Sequence, residues 1–177
     1  MHNITLVGMP GCGKSTIGVV LAKVLGYQFV DTDLLIQERE NRLLHEIIAQ
    51  SGYAYFARVE EEVNASVTGR RLVIATGGSV VYGDRAMEHL RGISTIVYIR
   101  LPYEELQKRL GNIRRRGVLL KDNQTLMDLY KERCPLYERY AHITIDAAGL
   151  DVEQLMDNIV HSLEEEQAIA CLLKEKE

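Results

Sequence analysis

The residues best able to do chemistry cluster near the N-terminus. Gly8-Met9-Pro10-Gly11-Cys12-Gly13-Lys14-Ser15-Thr16 follows the pattern of a glycine, four residues, then Gly-Lys-Ser/Thr, whose backbone N–H groups cradle phosphates. Gly11, Cys12, Gly13, Lys14, Ser15 and Thr16 are therefore candidates for holding a nucleoside triphosphate. Lys14 is placed to reach the outer phosphates, and the Ser15 hydroxyl to serve Mg²⁺. A glycine-rich turn that only joins two elements is the plain alternative. Against it, Ile4-Thr5-Leu6-Val7 reads as a buried strand, and Ile17, Val20, Leu21, Val24 and Leu25 recur at helical spacing. The motif is thus a strand-to-helix turn, where orphan N–H groups and the helix dipole favour anions.

Further candidates follow. After Gly26 closes the first helix, Tyr27 to Val30 reads as a second strand ending in Asp31-Thr32-Asp33. In a parallel sheet the C-terminal strand ends share the edge where ligands gather, which gives both acids a reason to be there. Asp33 also precedes Leu34-Leu35-Ile36 and can cap a helix, so both roles are open across the pair. Leu72 to Ala75 is a third strand, and Thr76-Gly77-Gly78-Ser79 ends it, permitting close backbone approach to a ligand or only a tight turn. Asn112 to Asn123 carries Arg114-Arg115-Arg116. It reads as a loop that closes over nucleotide and delivers an arginine, or as a solvated basic loop. Glu60-Glu61-Glu62 is expected on a solvated helix face, opposite Tyr55, Phe56, Val59 and Val63.

These residues need a scaffold, and the remaining pattern supplies one. Leu34 to Gln50 is helical with an interruption near Asn41, and Ser51-Gly52 breaks before the next helix. A short helix around Arg85 to Leu90, a strand at Thr95 to Ile99 and a helix from Tyr103 to Leu110 follow. A helix through Leu126 and Tyr137 contains Pro135, implying a kink or a late start. Ile143-Thr144-Ile145 is a fifth strand, and Val152 to Leu163 an amphipathic helix that the tail 164–177 either extends or leaves to fray. Strands alternating with helices specify an α/β fold, an open parallel sheet with helices on both faces.

Composition narrows the function. The 177 residues, 46% of them hydrophobic, suit a single domain spanning 1–177. A net charge of −4 and pI near 5.8 argue against nucleic acid as the main partner. No apolar run reaches membrane-spanning length, and the first strand begins at once, so a cytoplasmic protein with no membrane partner is expected; a monomer is the expected assembly. Cys12, Cys134 and Cys171 lack disulfide or metal spacing and read as thiols. The five histidines form no ligand pattern.

Together, Gly11 to Thr16, Asp31-Thr32-Asp33, Gly52 with Phe56 and Glu60, Ala75 to Gly78, and Arg133-Cys134-Pro135-Leu136-Tyr137 resemble the shikimate kinase family of small phosphate-loop kinases. The resemblance spans roughly residues 3 to 163. It implies a three-layer α/β/α fold with strand order 2-3-1-4-5, a helical substrate-binding region over about 33–62, a lid over about 111–123, and ATP and Mg²⁺ as cofactors. It implies metal roles for Ser15 and Asp31, an acceptor-hydroxyl role for Asp33, backbone contacts from Gly77 and Gly78, a carboxylate contact from Arg133, and Arg116 as the lid arginine. The acceptor would be a small hydroxyl compound carrying a carboxylate, shikimate first, with gluconate-like compounds or hydroxy amino acids as alternatives. A nucleotide-binding regulatory protein is the non-enzymatic alternative.

Three positions depart from the family pattern. Phe-Arg-x-x-Glu reads Phe56-Ala57-Arg58-Val59-Glu60, so its arginine is Ala57; Arg58 stands one step, about 100° of helix rotation, away. It substitutes only if the helix shifts register. The third glycine is Ser79, and the lid Arg-Pro-Leu-Leu reads Arg116-Gly117-Val118-Leu119. Losing one of two guanidinium contacts to a carboxylate costs about 1.5–3 kcal/mol, tenfold to hundredfold in binding.

Overall fold

A computed structural model of the chain describes residues 3–110 and 124–174. The basic loop at 111–123, with Arg116, lies outside the described residues. Five strands, β1 (Asn3–Val7), β2 (Gln28–Asp31), β3 (Leu72–Ala75), β4 (Ser94–Arg100) and β5 (Ile143–Asp146), pair in parallel in the order β2-β3-β1-β4-β5. This is the order the family resemblance implies. β1 is central and buried at every position, with Thr5 flanked by Ile74 and Ile96, as an apolar run without alternation requires.

The helices are α1 (Lys14–Leu25), α2 (Thr32–Glu40), α3 (Leu44–Ser51), α4 (Tyr53–Ser66), α5 (Asp84–Ile93), α6 (Tyr103–Leu110), α7 (Leu126–Tyr140) and α8 (Val152–Lys174). A 3₁₀ turn spans Val80–Tyr82. Chain order reverses direction across the sheet at β1: the β1-to-β2 crossover runs one way and the β3-to-β4 crossover the other. Right-handed crossovers therefore put α1 and α5 on opposite faces; α8 packs against α1, while α5 and α7 pack on β4.

The helix breaks fall where the sequence places them. Gly26 ends α1 with φ of 65°, Asn41 ends α2 with φ of 50°, and Gly52 separates α3 from α4. Pro135 sits inside α7 without delaying its start, because Thr125 accepts from the Asp128 N–H and Asp128 bonds back in a capping box. The tail continues α8 as far as Lys174.

The main core joins the sheet to α1, α5, α7 and α8. Ile36, Ile47, Phe56, Val59 and Val63 form a separate cluster that binds α2, α3 and α4 together. That second cluster lets the 33–62 region pack as a unit beside the sheet. Among the described residues no helix is long and apolar enough to cross a membrane.

Gly18 sets how closely α1 lies on the sheet. A Cβ there would stand 2.6 Å from the Phe29 ring and 3.3 Å from Leu6 Cδ1. Gly18→Val should therefore destabilise the fold by about 1–3 kcal/mol through overpacking. Urea unfolding should show a lower midpoint at unchanged slope.

Candidate active site

Strand order reverses at β1, and the C-terminal edge beside such a reversal is where open α/β sheets form a crevice. A cavity of about 430 Å³ opens there, lined by the glycine loop after β1, Asp33, Glu60, residues 76–79, Arg109 and Arg133. Gly8, Gly11 and Gly13 carry φ of 148°, 79° and 107°, conformations side chains rarely adopt, so the loop after β1 depends on glycine at these positions. Lys14 is buried at 7% exposure, and its Nζ donates to the Gly8 and Met9 carbonyls at 2.8 and 3.1 Å. Thr16 and Ser15 line the cavity, whereas the Cys12 side chain turns into the core. Cys12, predicted from the motif to hold nucleotide, thus belongs to the core and is not among the residues that line the cavity.

The Ser15 hydroxyl donates to Asp31 Oδ2 at 2.8 Å, tying the start of α1 to the tip of β2. Asp31 Oδ1 accepts from the Asp33 N–H at 3.0 Å, so Asp31 is the cap of α2. This corrects the capping role open to Asp33 from sequence. One helical position past Thr32, Asp33 instead turns its carboxyl into the cavity. Burial, with the Asp31 charge next, pushes that carboxyl up to about 6, while Lys14 pulls it down.

Glu60 overturns the solvated-face expectation, being only 3% exposed. It lies four residues from Phe56 and three from Val63, so helical periodicity puts it on their buried face. That spacing was the available signal. Ser79 Oγ donates to its Oε1 at 2.9 Å. Glu61 and Glu62 remain partly exposed, Glu61 accepting from the Arg85 N–H and Glu62 pairing with Arg39.

Arg133 comes from the buried face of α7 and is 2% exposed. Its Nε donates to the Tyr82 hydroxyl at 3.2 Å, and one turn on, Tyr137 Oη donates to the Gly78 carbonyl at 2.6 Å. Tyr137 thereby fixes the Gly77-Gly78 turn against the cavity. The sequence motif contains Tyr137 but assigns it no role, and nothing in the sequence points to Arg109, which the last turn of α6 brings to the cavity.

Arg58 is not brought into this cavity. It is exposed, stacks over Tyr55 at 5.2 Å, and lines an adjoining cavity of about 240 Å³ with Ala57, Tyr53 and Tyr82. α4 holds the register that Phe56 and Val59 impose, so the residue beside Ala57 cannot rotate into its place.

Burial, opposed by the Ser79 hydrogen bond and assisted by the Asp33 charge, pushes the Glu60 carboxyl from 4.5 up to about 7. Between those pH values the folded chain holds a proton that the unfolded chain has lost, so stability falls as pH rises through this window. Asp33, raised from 3.8 to about 6, acts with the same sign. Glu60→Gln should therefore be more stable than the parent at pH 8, by on the order of 2 kcal/mol. The advantage should vanish by about pH 4, as urea titrations at both pH values would read.

Comparison with known proteins closes the identification. Residues 10–164 match the shikimate kinase family. A shikimate kinase of Thermodesulfovibrio yellowstonii is 35% identical over 167 residues, covering 93% of this chain and 96% of that one. One from Clostridium botulinum (strain Okra / Type B1) is 40% identical over 151 residues, covering 82% and 87%. Among solved structures, the shikimate kinase of Acinetobacter baumannii in complex with shikimate superposes with a TM-score of 0.85 at 32% identity, covering 94% of each chain. That of Aquifex aeolicus gives 0.81 at 30%, covering 93% of this chain and 98% of its own. With the glycine loop, the Asp31–Asp33 tip and the buried Arg133 all on one cavity, the chain belongs to the shikimate kinase family, ATP-dependent phosphotransferases that act on a hydroxyl group.

Proposed function

We propose that the chain transfers the γ-phosphoryl group of ATP to shikimate, giving shikimate 3-phosphate, and that the whole of 1–177 acts as one kinase domain. The observation that carries this reading is the meeting of Lys14, Asp33 and Arg133 on one cavity with the glycine loop. ATP lies with its phosphates on the backbone of Gly11 to Thr16, and Lys14 leaves its carbonyl partners to meet the outer phosphates. Asp33 orients the acceptor hydroxyl and takes its proton; a carboxyl near 6 suits a base working at neutral pH. Gly77, Gly78 and Ser79 line the acceptor side through backbone groups, and Arg133 holds the acceptor carboxylate. Catalysis is then mostly positioning and charge neutralisation.

Ser15 and Asp31 fit Mg²⁺: a hydroxyl and a carboxylate meet at 2.8 Å, hard oxygens of the kind that cation takes in ones and twos beside phosphates and water. Bound there, Mg²⁺ would offset phosphate charge. The region 33–62 forms the acceptor wall in this reading, and the segment 111–123 the lid, with Arg116 on the transferring group. A cytoplasmic monomer acting on a small molecule, without nucleic acid or membrane partner, completes it, in keeping with a net charge of −4.

A coupled ADP-release assay with shikimate is the test, and turnover of gluconate with none of shikimate would overturn the choice of acceptor. In the same assay Asp33→Asn should lower kcat about a hundredfold while leaving ATP affinity unchanged. Unaltered turnover would reduce Asp33 to a structural residue.

A further inference from the structure

Glu60 and Arg133 are both deeply buried on the cavity wall, at 3% and 2% exposure, and they carry opposite charges. Yet among the described residues neither has an ion-pair partner. Arg133 gives its Nε to Tyr82 and lies over that ring at 5.2 Å, while Glu60 has the neutral Ser79 hydroxyl. A buried charge without a counter-charge is costly, and a ligand that supplies one removes the cost on binding.

Both charges border one turn of the wall of the same cavity. A Cβ built on Gly77 would be 2.5 Å from Glu60 Oε1 and 2.8 Å from Asp33 Oδ1; one built on Gly78 would be 3.0 Å from Arg133 Nη1. The Glu60 carboxyl thus abuts Gly77 and the Arg133 guanidinium abuts Gly78. A small zwitterion in this cavity therefore meets an acid and a guanidinium on one stretch of its wall, with Asp33 beside them. The small Ala57 leaves the cavity behind Glu60 unfilled on its side, and the nearest cation in sequence, Arg58, is turned onto Tyr55.

The geometry points to a second class of acceptor for this chain: small zwitterions bearing a hydroxyl, with the ammonium on Glu60, the carboxylate on Arg133 and the hydroxyl at Asp33. This rests on the kinase reading of the same site. In the step, the bond from the γ-phosphorus to the β,γ-bridging oxygen breaks and a bond from that phosphorus to the acceptor oxygen forms. The hydroxyl proton passes to Asp33, and ADP and a phosphomonoester of the amino acid leave. Burial, against the Ser79 hydrogen bond and the Arg133 charge, holds the Glu60 carboxyl near 7, and a bound ammonium would favour its ionised form.

The test uses the full chain with ATP and Mg²⁺, and compares shikimate with L-serine, L-threonine, L-homoserine and N-acetyl-L-homoserine. ADP release and ³¹P NMR of the product are the readouts. At least one free amino acid should be phosphorylated, and N-acetylation, which removes the ammonium, should lower kcat/KM at least tenfold. Glu60→Gln should raise the amino acid's KM about tenfold or more and shikimate's KM less. Ala57→Arg, which sets a guanidinium three residues from Glu60, should weaken the amino acid and tighten shikimate. Shikimate turnover with no amino acid turned over overturns the second acceptor class alone. So does equal use of the acetylated compound. Amino-acid turnover without shikimate turnover supports the second class and overturns the shikimate reading, and no turnover of either overturns both.

Discussion

One carboxylate holds the site together. Asp31 ends β2, where its backbone pairs with Ala75 of β3, and its two side-chain oxygens serve two different helices. Oδ2 accepts from Ser15 in the first turn of α1, and Oδ1 accepts from the N–H that starts α2. The glycine loop, the acidic strand tip and the strand that leads into Thr76-Gly77-Gly78 are thus locked to one another through a single residue. Asp33 faces the cavity because Asp31 fixes where α2 begins, and so which way the second helical residue points.

Around that anchor the fold carries charges it would be more stable without. Lys14, Asp33, Glu60 and Arg133 converge on one cavity, and burial raises both carboxyls. Desolvation makes each costly in the free chain and strong toward a ligand, because the same low dielectric governs both. The surrounding structure offsets that cost with local hydrogen bonds: carbonyls for Lys14, a hydroxyl for Glu60, a phenol for Arg133. Tyr137, stacked on Tyr98 with ring centroids 5.1 Å apart, then pins the Gly78 carbonyl so that the turn between these groups cannot drift.

What the sequence made legible follows from how local each signal is. The glycine loop, the strand alternation and the breaks at Gly26, Asn41 and Gly52 are encoded by neighbouring residues, and each appears where the pattern puts it. Residues whose roles depend on packing were harder. Glu60 looked like part of an acidic run, although its distance from Phe56 and Val63 already put it on the apolar face. Arg58 looked available because it is adjacent to Ala57, yet adjacency on a helix separates side chains by about 100°. Arg109 stands in no motif, and Tyr137 ends the Arg133-to-Tyr137 stretch without a role of its own there, since only the placement of α6 and α7 beside the cavity and Gly78 gives them their parts in the site.

The two departures on the acceptor side are one structural change. Ala57 and Glu60 lie three residues apart on α4, the spacing at which an arginine and a glutamate share a helix face and pair. With alanine at 57, Glu60 has no guanidinium on its own face of α4, Arg58 being turned onto Tyr55, and a buried carboxylate must find another donor or remain unsatisfied. Ser79 stands where the family pattern has a third glycine, and it supplies that donor at 2.9 Å. A glycine at 79 has no hydroxyl to give, so the serine is the residue that makes the alanine tolerable. The exchange replaces a cation by a neutral hydroxyl beside Glu60, leaving its negative charge open to whatever the cavity receives.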